Sequence, residues 1–373
     1  MQQVFMRKII SVFVALVVLT ASLAAQDCNV DLLLQKPGTW KVGMKGSPGG
    51  TATELTKEKK MVEAIHNMIK SKYSPTGVEA IYHGTYSPAF PNTPGNNFAY
   101  SIIPLNYYCD GNAFKIVHET PTYFSINANL FSAEIYESPN FNEAASGTGY
   151  HYIRDMPVEK DGCWYFKERD EGFGYTPTRQ YSCLITYNSK LPFAYVTRKE
   201  FLETRKVILA NTKRESASHL KDVLDRNELE KGFKEKEYKN DPEKLKKYMR
   251  MDYESTKARY EKLLADNEKS FEPAFNKIES QLKTDETELS QPAIVKIDPQ
   301  DHLSYLFTDG NDPMGEVPIK PNPGYFNKKL PRSSPQFFWV FVRWNYTDPI
   351  ATKFTKDILK SVDFTVLKNM LGK

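Results

Sequence analysis

Gln336-Phe-Phe-Trp-Val-Phe-Val-Arg-Trp-Asn-Tyr346 decides the fold. Its centre, Phe337 to Val342, is apolar without alternation, so both faces of an extended chain there need cover, and a central covered strand is expected. Six residues cannot cross a bilayer, which takes about 20. Immediately after it, Asp348-Pro349 opens a helix carrying Ile350, Phe354, Ile358 and Leu359, with Asp as cap and Pro at the first helical position. A short terminal helix follows from Asp363. Upstream, strands are expected at 293–297, 302–307 and 317–320.

Residues 26–196 are rich in Tyr, Phe, Gly, Pro and Asn, which reads as short strands and turns. One helix interrupts them over 53–72, where Met61, Val62, Ile65, Met68 and Ile69 recur at helical spacing. Strands are expected at 78–82, 98–103, 114–118, 123–127, 163–167 and 181–187.

Composition changes at Thr197. Residues 198–285 hold 22 Lys or Arg and 19 Asp or Glu in 88 positions, about 47% charged against 26% for the whole chain. Thr197-Arg-Lys-Glu200 fits a capping box and Asp241-Pro242 a second helix start. The segment 197–285 therefore reads as a charged hairpin of two long antiparallel helices. Gly232 and the residues to Asn240 are expected to connect them, and Pro273 to break or kink the second near Ser270. The fold class is α+β: strand-rich N- and C-terminal parts with this hairpin inserted between them. Segment 286–373 is placed to pack on the first domain. No internal repeat is present.

Arg7 and Lys8, the apolar run Ile9 to Leu19, and the small residues Ala21, Ser22, Ala24 and Ala25 have the layout of a secretory signal over 1–25, cleaved after Ala24 or Ala25. A retained anchor needs a longer apolar run. A lipid on Cys28 is disfavoured by Gln26 and Asp27, which stand where such signals place small residues. The mature protein is expected in the periplasm or outside the cell, without a transmembrane segment.

Losing Arg7 and Lys8 takes the formal charge from +4 to +2, a balance that argues against nucleic acid as partner. Four cysteines in an oxidising compartment point to disulfides, with free buried thiols and metal ligation as the alternatives. Cys163 and Cys183 lie in two strand-like stretches that a hairpin would join, so they are expected to pair, leaving Cys28 for Cys109. No Cys-x-x-Cys pair and no His-Cys spacing suggests a metal.

No His-Glu-x-x-His, Gly-x-Ser-x-Gly, P-loop or dinucleotide fingerprint occurs, and no cofactor is implied. His66, His83, His118, His151, His219 and His302 show no ligand spacing. Asp309-Gly-Asn-Asp312 with Glu316 could gather oxygen ligands for calcium, but a polar turn explains the same residues. Among the many aromatics, including Tyr107, Tyr108, Tyr150, Tyr152 and Tyr165, those in the Gly-rich loop, Phe173 and Tyr175, are the candidates for exposed binding contacts.

Leu191-Pro-Phe-Ala-Tyr-Val-Thr-Arg-Lys-Glu-Phe-Leu202 and Asn322-Pro-Gly-Tyr-Phe-Asn-Lys-Lys-Leu-Pro-Arg-Ser-Ser-Pro-Gln-Phe337 resemble uncharacterised exported proteins of Bacteroidetes-type bacteria. The resemblance implies export and carries no activity. The reading is a non-catalytic exported protein that binds a protein or glycan partner in the cell envelope, with the hairpin as a docking arm. An envelope hydrolase acting on glycan or peptide is the alternative.

Overall fold

A computed structural model describes residues 28–43, 50–87, 95–130, 150–322 and 324–373. The signal-like segment 1–25 lies outside the described residues. The fold is α+β, and no helix among the described residues is long and apolar enough to cross a membrane. The described residues form two compact units that are not contiguous in sequence: those within 28–130, 157–190 and 326–373 make the first, those within 150–156 and 191–325 the second. Segment 286–373 is thus shared between them.

In the first unit a short helix α1 (Val30–Gln35) precedes β1 (Thr39–Val42), α2 (Ala52–Lys70), β2 (Val78–Ser87), β3 (Asn97–Asp110), β4 (Ala113–Ile116) and β5 (Tyr123–Ala128). After the second unit's first strand, β6 (His151–Ile153), come β7 (Val158–Lys160), β8 (Cys163–Tyr165), β9 (Arg169–Phe173) and β10 (Thr176–Ile185). The described strands of this unit make one sheet in the order β1-β2-β3-β5-β15-β10-β8-β7, where β15 is Phe338–Asn345; β4 adds to β3 and β9 to β10. All pairings are antiparallel except β1 with β2.

The non-alternating run does become the central strand. Val340 lies opposite Ile126 on β5 and Cys183 on β10, so both edges of β15 are hydrogen-bonded. Phe338, Val340, Val342 and Trp344 face a core that includes Val62, Ile65 and Ile69 of α2 and Ile350, Phe354 and Ile358. Trp339 and Phe341 point to the opposite face and are also buried, with Phe166 stacked on Trp339 at 5.2 Å. Burying each of these side chains contributes about 1.5–3 kcal/mol, so one strand carries a large part of the unit's apolar burial.

Local chemistry fixes the covering helices. Thr51 and Glu54 close a complete capping box at the start of α2. Asp348 accepts from the Ile350 and Ala351 amides and Pro349 fills the first position of α7 (Pro349–Ser361), which follows α3 (Arg198–Glu237), α4 (Pro242–Tyr248), α5 (Glu254–Gln281) and α6 (Glu286–Leu289) of the second unit. Asp363 caps α8 (Phe364–Met370) in the same way.

The cysteines follow the expected pairing in one case only. Cys28 and Cys109 are bonded, tying the N-terminal segment to the end of β3. Cys163 and Cys183 are free buried thiols, contrary to the expected bond. The hairpin does bring β8 beside β10, but its register sets Cys163 opposite Ile185 and Cys183 opposite Tyr165. The two cysteines are therefore diagonal neighbours, roughly 7–8 Å apart in such a ladder, whereas a disulfide holds Cα atoms at about 4.4–6.8 Å.

In the second unit, β11 (Phe193–Tyr195), β14 (Val317–Pro321) and β6 form a small sheet, and β12 (Val295–Asp298) pairs with β13 (Asp301–Phe307). The charged segment is a helical hairpin of α3 (Arg198–Glu237) against α4 (Pro242–Tyr248), a π-helical turn (Met249–Tyr253) and α5 (Glu254–Gln281), followed by α6 (Glu286–Leu289). Leu202, Leu209, Phe271, Ala274, Ile278 and Leu289 form its apolar base. Farther out the seam is polar: the Asn267 amide donates to the Lys213 carbonyl at 3.2 Å and the Asn227 amide to the Tyr253 carbonyl at 3.1 Å.

Three local expectations are corrected here. Gly232 lies inside α3 and the connection is Tyr238 to Asp241; a single glycine costs only about 1 kcal/mol in a helix, and ion pairs Lys231–Glu228 and Lys234–Glu237 flank it. Pro273 does not break the second arm: α5 continues through it, with Phe271, Ala274 and Ile278 buried on either side, and the irregular turn is the π-helix that precedes α5. Thr197 accepts from the Glu200 amide, but the reciprocal bond of a capping box is replaced by an ion pair from Glu200 to Lys320 at 2.6 Å.

Candidate binding surface

The hairpin β9–β10 projects the two aromatic residues singled out from the sequence. Phe173 pairs with Thr176, which leaves Gly174 and Tyr175 as a two-residue loop. Tight hairpin loops need a positive φ, and Gly174 supplies it at +59°. Tyr175 is fully exposed (109%) and Phe173 half so (51%). Behind Phe173, the guanidinium of Arg343 on β15 sits 4.3 Å from the ring centroid, and its Nε donates to the Pro121 carbonyl at 3.1 Å.

The other face of the same hairpin repeats the arrangement. Arg179 lies 4.9 Å over the ring of Tyr346, itself 37% exposed, and is held in place by two bonds to Asp170, at 2.5 and 3.1 Å. That contact keeps the Asp170 carboxyl below the usual carboxylate range. On the Phe173 face, the Gln180 amide donates to Glu171. The sheet end thus presents three exposed rings, two of them backed by arginine and flanked by fixed carboxylate and amide groups. Planar rings suit stacking on the apolar face of a sugar or peptide group, and the polar neighbours suit hydroxyls or amides.

Other candidates have structural settings. His66 is buried in the first core, its Nδ1 3.0 Å from the Tyr100 hydroxyl, with Tyr82 stacked on it at 3.8 Å and Trp40 edge-on at 5.2 Å. Burial lowers its pKa, as it does for His83 and His151. His219 is exposed on α3. Tyr107 and Tyr152 are buried, while Tyr150 bonds to Thr204 at 2.6 Å. The Asp309 loop is a turn: Asp309 accepts from the Asn311 amide, and Asp312 accepts from the Met314 amide, Thr308 and Lys296, which hold its carboxyl at about 2. Among the described residues no three His, Cys, Asp or Glu side chains are grouped to hold a metal.

The second unit has a shallow depression, open to solvent, beside Arg205, Lys277 and Ser304. Its polar groups are already engaged: Arg205 stacks on Tyr305 at 4.7 Å, Lys277 pairs with Asp298 at 2.5 Å and Ser304 bonds to Asp301.

One unusual group was missed in the sequence. Glu58 on α2 is completely buried; one oxygen accepts from the Asn96 amide at 2.8 Å and the other has no partner. Burial, then the nearby Glu54 carboxylate, raise its pKa against the lowering effect of Asn96. Its signal was available, because positions 58, 62, 65 and 69 lie on one helical stripe with Val62, Ile65 and Ile69. Comparison with family models, with curated proteins and with solved structures gives no match to this chain.

Proposed function

We propose that this is an exported, non-catalytic binding protein of the cell envelope, and that its ligand is a glycan that stacks on the β9–β10 end of the large sheet. The observation that carries the reading is the pair of exposed rings, Phe173 and Tyr175, on a hairpin anchored to the central strand, with Phe173 backed by Arg343. Exposed rings on a rigid scaffold lose little entropy on binding. Export is supported by the layout of residues 1–25 and by the Cys28–Cys109 bond, which suits an oxidising compartment.

The test is retention on arrays of envelope glycans and of peptides, wild type against a Phe173→Ala/Tyr175→Ala double variant. Glycan retention that disappears in the variant while its thermal unfolding is unchanged is the expected result. No glycan retained by the wild type, or equal retention by both proteins, refutes the reading. Retention of peptides alone moves it to a protein partner.

A further inference from the structure

The charge of the helical hairpin is not evenly spread. Residues 231–250, its turn and the adjoining helix ends, hold eight Lys or Arg against four Asp or Glu, a net +4. The remainder of 198–285 holds 14 against 15, a net −1. The basic excess is therefore confined to the end remote from the apolar base, starting about 33 Å beyond Leu209 along α3.

Within that end, Lys231, Lys234 and Lys244 are paired with Glu228, Glu237 and Asp241. Lys236, Lys239, Lys246, Lys247 and Arg250 are exposed and have no ion-pair partner among the described residues. Among these cations stand exposed apolar side chains: Leu229 (65%) and Phe233 (68%), one turn apart on α3, and Met251 (56%) on the π-helical turn. Lys236 follows Phe233 by three residues and Lys247 precedes Met251 by four, so cation and apolar group share a helix face in both arms.

We infer that this end of the hairpin docks on a bilayer surface rich in anionic lipid headgroups, a contact separate from the proposed glycan site. Lipid is favoured over an acidic protein because the apolar groups stand exposed on helical turns, not in a groove. An interface of headgroups and acyl chains accepts isolated convex insertions, with lysine stems lying along them. A net positive cluster beside it supplies attraction that falls with salt.

The experiment is hydrogen exchange and co-sedimentation of the full chain with vesicles of phosphatidylcholine alone or mixed with phosphatidylglycerol. The expected result is protection of amides in 229–251 by the mixed vesicles only, lost at high salt, with binding weakened about tenfold or more in Lys246→Glu/Lys247→Glu and also weakened in Phe233→Ser. Because residues 9–19 are themselves apolar, sedimentation without protection of 229–251 overturns the inference. So does equal binding by the charge-reversed variant. Protection of 229–251 by soluble polyglutamate but not by vesicles overturns it in favour of an acidic polypeptide. Glycan retention is measured on the same variants and should be unchanged, which separates this inference from the function proposed above.

Discussion

Replacing both Cys28 and Cys109 by serine opens a loop with a sequence separation of 81. That loop contains α1, β1, α2, β2 and nearly all of β3, so the bond restrains three of the ten strands of the large sheet in the unfolded chain. In the chain-entropy model a link across a loop of that length removes roughly 15 cal/mol/K from the unfolded ensemble, about 4.5 kcal/mol at ~298 K. The native strand register β2–β3 does not need the bond, since ten residue pairs already align the two strands. The effect should therefore appear in the unfolded state: a lower urea midpoint with a steeper slope, because the released chain exposes more surface. Urea denaturation of wild type and double variant, each with and without reductant, measures it. Reductant should bring the wild type to the variant and leave the variant unmoved. A loss below about 1 kcal/mol, or a variant that reductant still destabilises, would refute the reasoning.

A thiol reagent should find two slow thiols in the native protein and two fast ones once it is unfolded, because Cys163 and Cys183 are buried and burial pushes the Cys183 thiol up to about 12; a fast native thiol, or none in the unfolded protein, contradicts the assigned state. Glu58 has a raised pKa when folded, so its contribution is fully present below the unfolded value and lost as pH rises through the folded one. Glu58→Gln should accordingly be more stable than wild type at neutral pH, with the gap closing in acid; urea midpoints at both pH values decide, and a destabilised variant at neutral pH rules the account out. Trp339→Ala should cost about 3–5 kcal/mol by emptying a fully buried site on the central strand; a loss under half of that in the same assay would mean that the cavity collapses.

The elements were legible where their signal is local. The apolar run 337–342, the Asp348-Pro349 start and the stripe on α2 each state their structure within a dozen residues. What could not be read is what depends on partners distant in sequence. The register that separates Cys163 from Cys183 is set by how β8 meets β10, and a shift of two residues changes no burial pattern. Glu200 abandons the reciprocal cap for Lys320, 120 positions away. Gly232 and Pro273 are breakers by composition, yet packing and ion pairs around them outweigh the local cost. At the candidate surface, the exposure of Phe173 and Tyr175 was visible in the Gly-rich loop. The arginines that back the rings were not, because Arg343 and Tyr346 come from the other end of the chain.

The strand at the middle of the large sheet is also the last of its described strands to be synthesised. Until residues 338–345 are available, β5 and β10 have no strand between them, and the blocks β1–β5 and β7–β10 each carry an open edge. Such edges invite pairing with other chains, and long-range strand pairing is slow. A chain that stops short of Phe338 therefore cannot hide as a slightly damaged native protein: it holds two unfinished half-sheets that chaperones and proteases can recognise. Making residues 338–345 and closing the sheet are therefore one event, and the central strand acts as the fold's own check that the sheet is whole.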